Sequence, residues 1–295
     1  CARKKDIKSF LNKHSGQKVV IKKSGLAAGK GVLESDNARE ILDFAERVFS
    51  ADKDTVVMES YLSGYELSIF ALLDGKDYVL LPACADHKKA LEGNKGANTG
   101  GMGAVCPIPS ADKKLLGIIE DTIIVPTMRQ MAKEGLMYNG VLFFGVMVTE
   151  NGPKLLEYNV RFGDPETQSL LPLLNCDIAD LLEASVTGSL KGFHCEFADR
   201  SAVGITIAAP GYPQSYEKNI AVENLPKAGK NTLLFHAGTE VDRDGIIRTS
   251  GGRCFTAVGL GHDYFEAHAA ALETAAKVQF KGAWFRHDIG KFFFE

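Results

Sequence analysis

No Cys-x-x-Cys pair occurs in this sequence; its six cysteines, Cys1, Cys84, Cys106, Cys176, Cys195 and Cys254, are scattered along 295 residues. That spacing argues against zinc ribbons and a disulfide framework, so a reducing, cytoplasmic setting is the expectation. No apolar run approaches the ~18 residues of a membrane span, and the opening CARKKDIKSFLNKHSG lacks the apolar centre of a secretory signal. It reads as an amphipathic helix entered mid-course, and no membrane partner is expected. Excess charge of one sign is missing too. Lys and Arg (34) nearly balance Asp and Glu (37), so no nucleic-acid partner is expected and any anion binding must come from local clusters. There is no repeat or low-complexity tract. What remains is an ordinary globular composition, 45% hydrophobic, with length enough for a large core or two domains.

Local patterns divide the chain. KVVIK (18–22) and GVLE (31–34) read as short strands around a glycine-rich loop. A helix follows, with Ala38, Ile41, Leu42, Ala45, Val48 and Phe49 at helical spacing behind Asp and Asn caps. ELSIFALL-DG-KDYVLLPA and VLFFGVMVTE-NG-PKLLEYNV each set Asp-Gly or Asn-Gly between strand-like runs, the signature of antiparallel hairpins. Between them, 86–110 reads as a glycine-rich basic surface loop and 111–134 as a helix with Leu115, Ile118, Ile119 and Met128 on its apolar face. Another helical stretch lies near 168–187. From about 193 the texture changes to that of a smaller α+β domain.

Three polar groupings stand out. First, PKLLEYNVRFGDPETQ (153–168) looks like a buried strand with Leu156, Tyr158, Val160 and Phe162 on one face and Glu157, Asn159 and Arg161 on the other. A solvated face explains such residues, and so does an oxygen-ligand pair beside an anion-binding fork. In GDPET, Asp164 is the expected N-cap and Pro165 the first helical residue, at an end that also suits an anion. Second, KKSGLAAGKG (22–31) resembles a Walker loop but is one residue short, and Gly31 stands where a metal-binding hydroxyl belongs. Its backbone N–H groups with Lys30 or Lys22 can cover phosphates, and a mobile hairpin tip has the same composition. The metal must then be held elsewhere, which Glu157 and Asn159 can do. Third, ADHKKALEGNKGANTGGMGA (85–104) has too few apolar residues for a core. It reads as a surface loop, either disordered or functional, and in the favoured functional reading its donors, with Lys88 and Lys95, suit a phosphorylated substrate.

GLAAGKG, DHKKALEG, NTGGMGA, LLEYNVRFGDPETQ, FHAGT, GGR and RHDIG resemble, in the same order, the glycinamide ribonucleotide synthetases, ATP-grasp enzymes of purine biosynthesis. The resemblance runs from about residue 5 to 291. It implies an α+β (α/β) ATP-grasp fold over 1–192, with 17–62 as the nucleotide-covering part, and a smaller C-terminal α+β domain over 193–295. The implied reaction phosphorylates glycine with ATP and transfers the glycyl group to 5-phosphoribosylamine. By resemblance, Lys22, Gly25, Gly29, Lys30 and Gly31 cover the ATP phosphates, Glu59, Tyr61 and Leu62 lie beside adenine, and Glu66 takes the ribose hydroxyls. Glu157 and Asn159 correspond to Mg2+ or Mn2+ ligands and Arg161 to a phosphate clamp. Asp86, His87, Lys88 and the turn Asn98, Thr99, Gly100, Gly101, Met102, Gly103 would hold phosphoribosylamine. Asp164 and Glu166 would lie near glycine and the amine; with Arg161 they form the expected catalytic set.

Set against that family, its N-terminal Rossmann-like domain is expected to be absent, and the connections near 15–17 and 50–55 are short. Ala97 also stands where the family often has proline. Another ATP-grasp carboxylate–amine ligase and a nucleotide-binding module without turnover are the competing readings. The resemblance fits a stand-alone enzyme and one part of a multifunctional polypeptide equally.

Overall fold

The computed structural model describes residues 4–25, 31–51 and 54–294. They form two compact units, Cys1–Gly64 and Tyr65–Glu295. In the first, helix α1 (Lys4–Lys13), strands β1 (Val19–Lys23) and β2 (Val32–Ser35), helix α2 (Ala38–Ala51) and strand β3 (Val56–Ser60) follow one another. The antiparallel sheet has β1 at its centre, in the order β2-β1-β3. Val19 and Ile21 alternate inward with Val56 and meet Ile41, Phe44, Ala45 and Val48 of α2, with Ile7 of α1 completing the core. The Asn37 carboxamide accepts the Arg39 N–H at 2.9 Å, the cap expected from the sequence.

The second unit begins with β4 (Tyr65–Asp74), β5 (Tyr78–Leu80), β6 (Ala85–Asp86), β7 (Lys89–Leu91), β8 (Lys95–Asn98) and β9 (Gly103–Cys106). Helices α3 (Lys113–Ile119) and α4 (Val125–Lys133) lead to β10 (Asn139–Thr149) and β11 (Gly152–Asn159), then α5 (Glu166–Leu170) and α6 (Ile178–Thr187). There follow β12 (Ser201–Ala208), β13 (Val222–Asn224), β14 (Thr232–His236), β15 (Thr239–Val241), β16 (Ile247–Thr249), β17 (Arg253–Gly261) and α7 (Tyr264–Ala276). One sheet runs β11-β10-β4-β5 and another β14-β17-β12-β9-β6. Leu67, Ile69, Ala71 and Leu73 of β4 share a core with Phe144 of β10, Val203, Ile205 and Ile207 of β12 and Ala267 and Ala271 of α7. Phe70, Leu72 and Phe143, on the alternate face, pack with Leu170, Leu173 and Leu181. Each such buried side chain contributes roughly 1.5–3 kcal/mol.

Both expected hairpins form. At the first turn Gly75 has φ 88°, and the Asp74 carboxylate accepts the N–H groups of Lys76 (3.0 Å), Asp77 (2.7 Å) and Leu190 (3.0 Å). The helix expected over 111–134 is present but is interrupted by a π-helical turn, Glu120–Ile124, just before Pro126, which has no N–H to give.

Two expectations are corrected. The 86–110 segment is not one surface loop: β7 and β8 pair as a hairpin, and Met102, Ala104, Val105 and Cys106 are buried because β9 is an inner strand between β6 and β12. Sparse apolar content hid a strand whose neighbours supply the core. The strand at 152–159 is an edge strand, leaving Tyr158 47% exposed, and Val160, just past its end, is 70% exposed. β9 precedes and β12 follows the expected 192/193 boundary, and the two strands pair with each other across it.

Candidate functional site

The edge strand carries a bulge. Gly145 of β10 pairs with Glu157, while Val146 pairs with Leu155, so Leu156 is the extra residue. Strict alternation would put Leu155 and Glu157 on one face; the bulge lets Leu155 pack on the core while Glu157 turns away. Gly145 also pairs with Ser68, giving a row Ser68, Gly145, Glu157 across three strands. Glu66 and Asn159 flank that row on the same face. Gly145 keeps the middle of the row open, since a Cβ there would lie 3.1 Å from Glu157 Cγ.

Acidic and basic groups crowd beside the row. Lys88 Nζ lies 2.5 Å from Glu66 Oε2. The Lys88 side chain is partly exposed, and although desolvation opposes its charge, the carboxylates of Glu66 and Asp86 raise its pKa above the ordinary lysine value. Glu166, 5% exposed, accepts the Ser68 hydroxyl at 2.9 Å. Asp86 Oδ1 is buried without a partner among the described residues. Burial first, then the negative charge of Glu166, pushes the Asp86 carboxyl well above its usual range, against the pull of Lys88 and Arg253. Gly101, at φ 119°, passes directly over this carboxylate; a Cβ would lie 2.6 Å from Asp86 Oδ1 and 2.4 Å from Pro165 Cδ. Glycine is the residue that tolerates both the backbone angle and the approach.

The 98–103 turn is tied down at several points. Thr99 donates from its N–H (2.7 Å) and its hydroxyl (2.9 Å) to the Lys88 carbonyl, and Gly101 N–H donates to the Thr99 hydroxyl at 3.0 Å. Asn98 is exposed at the end of β8. Gly103 accepts the His87 N–H at 2.9 Å, and the His87 carbonyl accepts the Met102 N–H at 2.9 Å. His87 and Met102, expected to help hold phosphoribosylamine, are buried, 5% and 0% exposed. The His87 ring accepts the Gly290 N–H at 3.0 Å. Burial, and then the nearby Arg286 charge, lower the His87 pKa to about 4.

Arg253 was absent from the expected site residues although its GGR motif was noted. Its Nη1 donates to the carbonyls of Gly100 (2.9 Å) and Asp164 (2.8 Å), and Nη2 to Asp164 Oδ2 at 3.3 Å. Gly100 N–H in turn donates to the Tyr212 hydroxyl at 2.9 Å. Asp164 is therefore not the helix cap it was expected to be: Pro165 holds the cap position, and the Asp164 carboxylate takes Arg253 and the Gln168 amide (3.1 Å) instead. Beside it a cavity of about 530 Å³ is lined by Gly163, Asp164, Thr167, Gln168, Leu171, Pro172, Phe235 and His236. Arg161 is exposed, donates to the Phe162 carbonyl at 2.8 Å and makes no ion pair among the described residues.

In the first unit, Lys22 Nζ pairs with Glu59 Oε2 at 2.8 Å, adjacent strands bringing together two groups expected to serve one nucleotide. Tyr61 lies under Lys18 Nζ, 4.2 Å from the ring centroid, and Leu62 is half-buried. Gly25 N–H donates to Asp54 Oδ2 at 2.8 Å, and Gly31 is buried. Gly29 and Lys30 lie outside the described residues.

The donor chemistry fits a hard divalent cation. Glu157 and Asn159 lie on one face, close enough for Asn159 Nδ2 to donate to Glu157 Oε1 at 3.3 Å, and both offer oxygen ligands. Among the described residues no group of three or more His, Cys, Asp or Glu could hold a metal, so this pair suits an ion that takes its remaining ligands from a nucleotide or water.

Comparison with known proteins first defines the class. Residues 2–167 match the ATP-grasp (A) domain of phosphoribosylglycinamide synthetase, and residues 202–292 match its C domain. The fold is also that of biotin carboxylase from Campylobacter jejuni, solved as a β,γ-ATP complex: TM-score 0.68, 14% identity, over 92% of this chain and 60% of that one. The chain has an ATP-grasp fold. More narrowly, it is 45% identical over 276 residues to the phosphoribosylamine–glycine ligase of Caldanaerobacter subterraneus subsp. tengcongensis, covering 92% of this chain and 66% of that protein. The crystal structure of phosphoribosylamine–glycine ligase from Thermotoga maritima superposes with TM-score 0.85 at 36% identity, over 97% of this chain and 72% of that one. The chain belongs to the phosphoribosylglycinamide synthetase family. It spans just under two thirds of the length of the curated relatives it matches. No helix of the described residues is long and apolar enough to cross a membrane.

Proposed function

We propose that this chain carries the reaction machinery of a ligase that joins glycine to 5-phosphoribosylamine at the expense of ATP. The products are glycinamide ribonucleotide, ADP and phosphate, formed through a glycyl phosphate. The observation that carries this reading is the convergence, on one sheet face, of Glu66, Ser68, Glu157 and Asn159 with Lys88, Asp86 and Glu166. In this reading Glu157 and Asn159 hold Mg2+ or Mn2+, which when bound neutralises phosphate charge. Lys88 and the Asn98–Gly103 turn bind the sugar phosphate of the amine. Arg253 fixes Asp164 against the turn, keeping a carboxylate available for an ammonium group. Glu166, held by the Ser68 hydroxyl, is positioned to take the proton that the attacking amine loses. The protein positions the reactants and supplies no nucleophile of its own. From the first unit, Lys22, Gly25, Gly29, Lys30 and Gly31 serve the phosphates, and Glu59, Tyr61 and Leu62 the base. Arg161, exposed, clamps phosphate oxygens.

The test is ADP release with ATP, glycine and 5-phosphoribosylamine, each omitted in turn, on this chain and on a full-length version. Release requiring both co-substrates supports the proposal. Release by the full-length protein that ignores 5-phosphoribosylamine, or that prefers another amine, refutes it. ATP-analogue binding by this chain with turnover confined to the full-length version would assign the rest of the protein a part in catalysis.

A further inference from the structure

Cys176 and Cys195 lie apart from the groups just described, with their sulfurs 2.8 Å apart. The backbone explains the approach. Asn175 N–H donates to the Glu196 carbonyl (2.9 Å), Ala198 N–H to the Leu173 carbonyl (2.8 Å), and Leu174 bridges Phe197 in antiparallel sense. These contacts fix a short two-stranded ladder in which 173 faces 198, 174 faces 197, 175 faces 196 and therefore 176 faces 195. Since 173/198 and 175/196 are the hydrogen-bonded pairs, 176/195 is a non-hydrogen-bonded pair. In such pairs the Cα atoms are about 4.5 Å apart and the side chains closest, a spacing inside the range that a disulfide spans.

We infer that Cys176 and Cys195 form a reversible dithiol–disulfide site, oxidised by a hydroperoxide. Both residues are half-buried and reachable by a small oxidant, whereas Cys84, Cys106 and Cys254 are fully buried. Desolvation and the contact with Cys176 push the Cys195 thiol up to about 12, and the same chemistry follows whichever of the two sulfurs attacks first. One sulfur displaces hydroxide from the peroxide as the O–O bond breaks, giving a sulfenic acid. The other sulfur then attacks that sulfur, the S–S bond forms, and the hydroxyl leaves with the remaining proton as water. Two thiols and one hydrogen peroxide become one disulfide and two waters, and a dithiol reductant reverses the change. The bond would close a loop containing α6, which is docked on the β4 and β10 sheet through Ser185: its hydroxyl donates to the Leu73 carbonyl (2.5 Å), and its carbonyl accepts from the Asn139 amide (2.7 Å). The bond would staple a helix already seated on the core.

Hydrogen peroxide followed by alkylation under denaturing conditions and trypsin tests this directly, because Lys191 separates the two cysteines and places them on different peptides. The expected result is a linked peptide pair, about 2 Da lighter than the two thiol peptides together, that dithiothreitol dissolves. Oxidation should raise the melting temperature of the wild type by roughly 6–12 °C, the effect of closing a loop of this length, and leave Cys176→Ser and Cys195→Ser unmoved. A wild-type protein that forms sulfinic acids without the link, or links either cysteine to a different partner or to a second chain, overturns the inference. So does a melting temperature that rises equally in both serine variants.

Discussion

Replacing His87 by glutamine should flatten the acid limb of the stability curve. The imidazole is buried beneath the 98–103 turn, accepts the Gly290 N–H, and has its pKa lowered from 6.5 to about 4 by burial and by Arg286, against Asp288 and the Gly103 contact. A depressed value in the folded state means that the contribution is fully present above 6.5 and is lost as pH falls toward 4. The unfolded chain gains a proton in that window and the folded chain does not. At pH 4.5 the ratio of the two proton-binding terms is roughly 80, which corresponds to about 2.5 kcal/mol of lost stability relative to pH 7.5. The carboxamide introduced by His87→Gln would keep an acceptor for the Gly290 N–H and remain neutral. Urea unfolding of both proteins at half-unit steps from pH 7.5 to 4.5 is the assay, and the difference between the curves removes the titration of carboxylates common to both. The wild type should lose about 2.5 kcal/mol more than His87→Gln over that range, and its His87 ring should remain neutral by NMR below pH 5. Parallel curves, or a ring titrating near 6.5, would refute the argument that desolvation governs this site.

Glu157→Gln should bind ATP analogues with little metal dependence and lose at least one to two decades of turnover in the full-length protein, with melting temperature unchanged; wild-type Mn2+ affinity by electron paramagnetic resonance would reject the ligand assignment. Lys88→Ala and Asn98→Ala should weaken a ribose-5-phosphate mimic by roughly 1.5–3 kcal/mol and leave an ATP analogue nearly unaffected, as measured by calorimetry. The reverse pattern would move the 86–103 segment to the nucleotide site. Arg286→Met should cost about 3–5 kcal/mol in chemical unfolding, because Asp288 and the Lys89 carbonyl lose a buried fork; a cost below about 1 kcal/mol would show the fork to be dispensable.

Much of this was legible in residue order because the signals were local. Asp74-Gly75 and Asn151-Gly152 mark turns by their own backbone demands, and α2 shows its inward face in its spacing. Where the decisive partner was distant, pattern failed. Met102 and Val105 looked like loop residues because β12, which flanks β9 on one side, lies far later in the chain. Asp164 had the sequence of a helix cap, yet Arg253, 89 residues later, takes its carboxylate. The pairing of Glu157 with Asn159 followed from alternation, but the bulge that separates Glu157 from Leu155 and the open position at Gly145 needed the partner strand. His236 and Arg253 lay in motifs that were noticed, FHAGT and GGR, without any local pattern that gave them a role.

The RHDIG segment reaches back across almost the whole second unit. Arg286, 1% exposed, donates to the Lys89 carbonyl (2.7 Å), Asp288 accepts the Gly93 N–H (2.8 Å), and the Gly290 N–H closes on His87. These contacts span 195 to 203 residues of chain. During synthesis the 86–98 segment emerges early and must wait without its anchors until residues 286–290 leave the ribosome. Loop closure on that scale comes late because its entropic cost precedes its reward. The 98–103 turn is thus among the last parts of the unit to set, and a chain broken off before Arg286 keeps every residue of the 86–103 segment while lacking what holds that segment in shape.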